Sequence, residues 1–199
     1  MNAVRVLAFA GSARAGSFNV KLLALAVQAA RELGAEVTPL DLRRLALPIY
    51  DAEIEAAGMP EGALELRRLL ATHDALLIAS PEYNGFPTPL LINSLDWVSR
   101  VAAADGLPSG LAATGGKVAG VMSASPGPMG GLRSLGFARQ FLHNTLGMLV
   151  VPEQFALVLA GKAFDEQGAL TDAKQQQSLQ RIVGSVVRVA GALKGSAPA

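Results

Sequence analysis

From one end of the chain to the other, apolar runs of strand length alternate with longer stretches whose apolar residues recur at helical spacing. That alternation commits a chain to a parallel sheet wound with crossover helices. The strongest case is Ala75-Leu76-Leu77-Ile78-Ala79-Ser80, which holds no polar residue until its last position and so reads as a strand covered on both faces. Val4 to Ala10 reads as the first strand, Glu36 to Leu42 as the second and Lys117 to Ser123 as the fourth, and Met148 to Val151 starts a fifth. Between them Leu22, Leu23, Leu25, Ala26 and Ala29 form a helical stripe that Gly34 can end. Further helices are predicted over Glu61 to Thr72, Pro89 to Val101, about Leu132 to Leu146, and Asp172 to Leu193. The stretch from Pro48 to Pro60 reads as irregular, and Gly195 to Ala199 as a loose tail. The expected fold is an α/β, doubly wound, five-stranded parallel sheet of order 2-1-3-4-5. It forms a single domain over residues 1–194, a length that buries a core without disulfides or metals.

Three loops follow strands one, three and four, and the topology brings all three to one edge of the sheet. Gly11 to Asn19, GSARAGSFN, makes the first strand-to-helix turn. Its glycines let the backbone turn and approach a ligand, Ser12 and Ser17 offer hydroxyls, Arg14 offers a charged fork, and the next helix aims free N–H groups at the same point. A bound anion is one reading; an ordinary turn capped by Ser17 or Asn19 is the other. Neither G-x-G-x-x-G nor G-x-x-x-x-G-K-[ST] is present, so a terminal phosphomonoester such as that of FMN suits the loop better than a pyrophosphate. The loop after strand three is Pro81-Glu82-Tyr83-Asn84-Gly85-Phe86-Pro87, and the loop after strand four runs from Ala124 to Gly131.

The charge of +1, from 17 basic and 16 acidic residues spread along the chain, argues against a nucleic-acid partner. The absence of cysteine removes disulfides, thiolate zinc sites and cysteine nucleophiles. Two distant histidines make no metal site. No apolar run approaches the roughly 20 residues that span a bilayer, and Val6 to Ala10 is too short for a signal-peptide core, so cytoplasm is the expected compartment. Charged residues are only 17% of the chain, below the roughly 25% of soluble domains, which points to oligomerisation.

Three motifs carry a resemblance: G-S-x-R-x-G-S-x-N after the first strand, S-P-E-Y-N-G after the third, and L-x-x-N-x-x-D-W beyond it. Over Arg5 to about Val189 the chain resembles the NADPH-dependent FMN reductases of the flavodoxin-like superfamily, which include quinone, chromate and azo-dye reductases. The resemblance implies an oxidoreductase that moves hydride from NADPH or NADH to bound FMN and on to a small acceptor: a quinone, azo compound, nitro compound, metal oxyanion or free flavin. It implies that Ser12, Arg14, Ser17, Phe18 and Asn19 hold the FMN phosphate and its approach, that Pro81, Glu82, Tyr83, Asn84 and Gly85 line the isoalloxazine ring, and that Ser123 and Ser125 lie in a third loop that also meets the flavin. A homodimer or homotetramer is implied as well. The sequence departs from many relatives in carrying Ile92 where they have lysine. Two other readings share the fold, a flavodoxin-type electron carrier, against which the near-neutral charge counts, and a non-catalytic flavin-binding protein.

No catalytic side chain is required, because the cofactor carries the reactive atom. Glu82 reads as a cofactor contact, His73 as a cap on the carbonyls of its helix, and His143 as packing or surface. Trp97 reads as core or subunit interface, with the interface preferred. Arg133 and Glu153 are candidates to pair across subunits, with two solvated charges as the alternative.

Overall fold

The computed structural model describes residues 3–196. Its strands are β1 (Arg5–Ala10), β2 (Glu36–Leu40), β3 (Ala75–Ala79), β4 (Val118–Ala124) and β5 (Leu149–Leu157), all parallel, in the order β2-β1-β3-β4-β5. The helices are α1 (Phe18–Glu32), α2 (Ala52–Ala57), α3 (Glu61–Thr72), α4 (Pro89–Arg100), α5 (Gly110–Thr114), α6 (Leu132–Gln140) and α7 (Ala173–Ser196).

Period-two alternation along the strands divides the core into two layers. Val6, Ala8 and Ala10 of β1 with Leu77 of β3 pack against Leu22 and Ala26 of α1 and Ile182, Val183 and Val186 of α7. Leu7 and Phe9 with Leu76 and Ile78 point the other way, against Leu66 and Leu70 of α3, Leu91 and Leu95 of α4, and Leu135 of α6. Both faces of β3 are therefore covered, as its unbroken apolar run requires.

The departures from the expected elements have local causes. β2 stops at Leu40 because Asp41 accepts from the Arg43 N–H and caps a 3-10 turn over Leu42–Leu45, whose leucines 42 and 45 turn inward. β5 is longer than its apolar start and runs through Pro152; as an edge strand with a register shift opposite Ala119 and Val121, it tolerates a missing donor. The last turn of the helix expected to reach Leu146 is a π-turn over Phe141–Thr145. The irregular stretch after Pro48 contains α2, capped by Asp51 and ended at Gly58, where φ is 147°. α7 continues through Ser196, two residues into the segment read as a tail; residues 197–199 lie outside the described residues.

Trp97 is fully buried within its own chain. Its indole N–H donates to the Pro48 carbonyl at 2.8 Å and its ring meets Tyr50 edge-on at 5.1 Å. Asn93 completes the same fastening: its Oδ1 accepts from the Tyr50 N–H and its Nδ2 donates to Pro48 O, both at 2.8 Å. The preferred interface role for Trp97 is corrected accordingly, since a ring with no exposed surface packs the loop rather than a partner.

Candidate active site

The phosphate-type loop begins where the Gly11 N–H donates to Ala79 O at 2.9 Å, tying it to the end of β3. Thr88, at the N-terminus of α4, donates its hydroxyl to Gly11 O at 2.6 Å, and a Cβ on residue 11 would stand 2.8 Å from that hydroxyl. Glycine is therefore required at 11 for the first and second loops to touch. Ser17 caps α1 by accepting from the Asn19 N–H. The remaining N–H groups of the first turn have no intrahelical acceptor, and the hydroxyl of Ser12 makes no hydrogen bond among the described residues.

The second loop is a tight hairpin. Tyr83 and Phe86 exchange two backbone hydrogen bonds of 2.9 and 3.0 Å around Asn84 and Gly85, whose φ angles are +54° and +89°. Two consecutive positive φ values are the requirement of a type I′ turn, and Asn-Gly satisfies it. The hairpin leaves the ring of Tyr83 half exposed.

These loops, with the start of the third, enclose a cleft of about 170 Å³. Ser12, Arg14, Ser17, Phe18, Asn19, Pro81, Glu82, Tyr83 and Ser125 all line it, joined by Ala124 and Pro126. Asn84 and Gly85 do not line it; they form the turn that presents Tyr83. Ser123 does not line it either, being fully buried beneath Gly131 with no hydrogen-bond partner for its hydroxyl among the described residues. Any Cβ on Gly131, where φ is +88°, would collide with that hydroxyl.

Asn19 lines the cleft, yet its side chain is already committed. Nδ2 donates to Ala124 O and Oδ1 accepts from the Ala124 N–H, both at 2.9 Å, across 105 residues of sequence. The side chain of Asn19 thus clamps the first loop against the third. Glu82 is likewise held: its Oε1 accepts from Arg133 Nε at 2.8 Å in an ion pair, and Oε2 accepts from the Ser134 N–H at 3.2 Å. Burial would raise its pKa, but the Arg133 guanidinium and the Ser134 N–H outweigh it and hold the carboxyl below its ordinary value. Arg133 thus pairs within the chain. Glu153 Oε1 accepts from the Ser185 hydroxyl of α7 at 2.8 Å, while its Oε2 is buried without a hydrogen-bond partner among the described residues.

Phe18 is flanked by the Arg14 guanidinium, 5.5 Å from its ring centre, and by Phe164, stacked at 6.3 Å. Phe164 had no signal in the sequence as a neighbour of the site, and neither had the Arg43 bond to Ala13 O at 3.0 Å that braces the loop from outside. His73 caps as expected, through Nδ1 to Leu69 O at 2.6 Å. His143 Nδ1 lies 3.0 Å from Met148 O. Among the described residues no cluster could hold a metal ion and no helix is long and apolar enough to cross a membrane.

The donors around the cleft suit one anion, and the hairpin opposite offers a flat wall. Residues 4–162 match the sequence profile of the NADPH-dependent FMN reductase family. The chain belongs to that family. It is 32% identical over 183 residues to an NAD(P)H-dependent FMN reductase of Pseudomonas aeruginosa, covering 89% of this chain and 90% of the relative. It is also 32% identical over 197 residues to an NAD(P)H:quinone oxidoreductase of Solanum tuberosum, with 96% and 95% covered. Among solved structures, the flavoenzyme NAD(P)H:(acceptor) oxidoreductase FerB of Paracoccus denitrificans superimposes with a TM-score of 0.77 at 27% identity, covering 95% of this chain and 98% of that one. As a member of this FMN reductase family the protein is an oxidoreductase with FMN as cofactor and NAD(P)H as electron donor. The residues present fit FMN: neutral hydroxyls, helix N–H groups and the Arg14 guanidinium, which makes no ion pair among the described residues, suit the phosphate, and the one carboxylate lining the cleft, Glu82, is paired with Arg133.

Proposed function

We propose that this FMN reductase passes electrons to small quinone-type acceptors, as a cytoplasmic homodimer or homotetramer, with residues 1–194 acting as one domain. The observation that carries the reading is the convergence of the Ser12-Arg14-Ser17 donors with Pro81, Glu82 and Tyr83 of the second loop on one cleft. In this proposal Ser12, Ser17, the Arg14 guanidinium and the first N–H groups of α1 hold the phosphate. Pro81, Glu82, Tyr83 and Ser125 wall the ring, Asn84 and Gly85 shape the turn behind it, and the Asn19 clamp sets the distance between the two walls. When bound, FMN supplies a ring that accepts hydride; the protein supplies position and electrostatics.

Quinone as the acceptor class is supported by the names of several relatives, including the potato enzyme. Azo compounds, metal oxyanions and free flavin fit the same open site. Oligomerisation is supported by Phe86 and Phe137, stacked at 4.3 Å yet about half exposed beside the ring hairpin, a costly surface for a monomer to leave in water. The test is visible absorbance of the FMN-saturated, desalted protein before and after anaerobic NADPH, followed by addition of a benzoquinone. Bleaching and then recovery of the flavin bands is expected. Bands that persist with NADPH would instead support an electron carrier or a binding protein.

A further inference from the structure

On the other side of the phosphate loop lies a second, larger hollow of about 670 Å³, between α1 and the edge strand β2. The two hollows share Ser12 and Arg14 as a common wall. The floor is carbon: Val20, Leu23 and Val27 from α1, and Leu40 from β2. Its rim is cationic, with Arg14, Arg31, Arg43 and Arg44 against a single carboxylate, Asp41, which leaves four charges less one, or +3.

The arginines differ in what they can still bind. Arg43 is fixed by its ion pair to Asp41 at 2.8 Å and by its bond to Ala13 O in the phosphate loop. Arg31, about 21 Å along α1 from the Ser17 cap at 1.5 Å per residue, makes one long bond of 3.4 Å to Val37 O. Arg44 is exposed, and its side chain makes no hydrogen bond or ion pair among the described residues. Basic side chains on a merely solvated face point away from one another over a polar surface; these surround a concave apolar floor. A ligand that matches has a flat, weakly polar body and a phosphate near the loop.

We propose that this groove holds a phosphorylated adenosine group, with the base over Val20 and Val27 and a phosphate against Arg44 and Arg43. The inference rests on the FMN reductase reading, which puts FMN in the adjoining cleft and brings NAD(P)H, a carrier of phosphorylated adenosine, to it. Two ligands carry that chemistry: the donor, through its 2′-phosphoadenosine half, and FAD taken in place of FMN, through its AMP half. For either, the protein's part is recognition by guanidinium groups and apolar cover, without a chemical step.

The test uses protein already saturated with FMN, so that the phosphate loop is filled and only the groove is free. Calorimetric titration with adenosine 2′,5′-bisphosphate is expected to show one saturable site that weakens with added salt. Arg44→Ala should weaken it roughly tenfold, the loss of one charge-assisted contact, while FMN retention stays as in the unaltered protein. A tenfold rise in KM for NADPH with that for NADH unchanged assigns the site to the donor. Weaker FAD binding to the apoprotein, with FMN affinity and both KM values unchanged, assigns it to the flavin dinucleotide. If the FMN-loaded protein bleaches with NADPH but ignores the bisphosphate, or if Arg44→Ala and Arg44→Ala/Arg31→Ala bind it as the unaltered protein does, the inference is overturned and the FMN reductase reading stands. A protein that retains no FMN overturns the phosphate-loop reading instead, and the bisphosphate titration of the apoprotein against Arg44→Ala still decides the groove.

Discussion

Removing the Asn19 amide tests whether the first and third loops are held together by that one side chain. Asn19 and Ala124 are 2% and 4% exposed, and each of their two hydrogen bonds is 2.9 Å long. In Asn19→Ala the Ala124 N–H and C=O both lose these partners. An unmet buried polar group costs about 1–3 kcal/mol. Because the cleft lets water reach this end of β4, the lower half of that range applies to each, for a total of about 2–4 kcal/mol. For a domain of this size each kcal/mol moves Tm by about 2–4 °C, so a fall of roughly 5–15 °C is expected in thermal unfolding of the apoprotein. Asn19→Asp separates the clamp from a simple loss of volume. It keeps an acceptor for the Ala124 N–H but sets a carboxylate oxygen against the Ala124 carbonyl, so at neutral pH it should be no more stable than Asn19→Ala. Lowering the pH protonates the introduced carboxyl, restores a donor toward Ala124 O and should narrow the deficit relative to the unaltered protein at the same pH. Saturating FMN should recover part of the loss, about 2.7 kcal/mol at a hundredfold excess over Kd if the variant binds as well as its parent. An apoprotein loss below about 0.5 kcal/mol, the scale of an ordinary surface change, would refute the clamp.

The ion pair behind the ring hairpin gives a second expectation. Glu82→Gln loses the Arg133 pairing but keeps an acceptor for the Ser134 N–H, so urea unfolding should show a deficit of about 1 kcal/mol that shrinks in 1 M salt; a deficit independent of salt would show that charge is not its source. A third concerns His73, whose pKa burial pushes below its ordinary value while the Leu69 carbonyl holds Nδ1 and Thr38 Oγ1 meets Nε2 at 2.8 Å. The unfolded chain takes up its proton near pH 6.5, before the folded one does. The stability this histidine contributes is therefore complete above that pH and is lost as pH falls through 6.5 toward the lower folded value. His73→Gln should flatten the dependence of unfolding free energy on pH between 7 and 5; an unchanged slope would place the titration elsewhere.

Legibility in the sequence followed the range of the interactions. The strands of β1, β3 and β4 could be read to within a residue or two, because a strand buried on both faces has only apolar side chains to offer. The strand-to-helix turn from Gly11 to Asn19 was legible for the same local reason, since its glycines, hydroxyls and cap residue lie within nine residues of a strand end, and Ser17 does cap α1. Asn84-Gly85 was visible as a break, but its role as a two-residue turn that lifts Tyr83 appears only in the pair of bonds from Tyr83 to Phe86. β5 was read short because an edge strand with a bulge does not need an unbroken apolar run.

What the sequence by itself determined was the doubly wound fold and the composition of the loop here proposed for a flavin phosphate, since both are written in residues adjacent along the chain. Tertiary structure alone decided which side chains remain free to act there. Asn19 was assigned to Ala124, Glu82 to Arg133, Trp97 to Pro48 and Arg43 to Ala13 by contacts that span 30 to 105 residues. Such pairings depend on how helices settle on the sheet, and no local spacing encodes them. The second groove arises the same way, because α1 and β2 bring four arginines together only once they pack side by side.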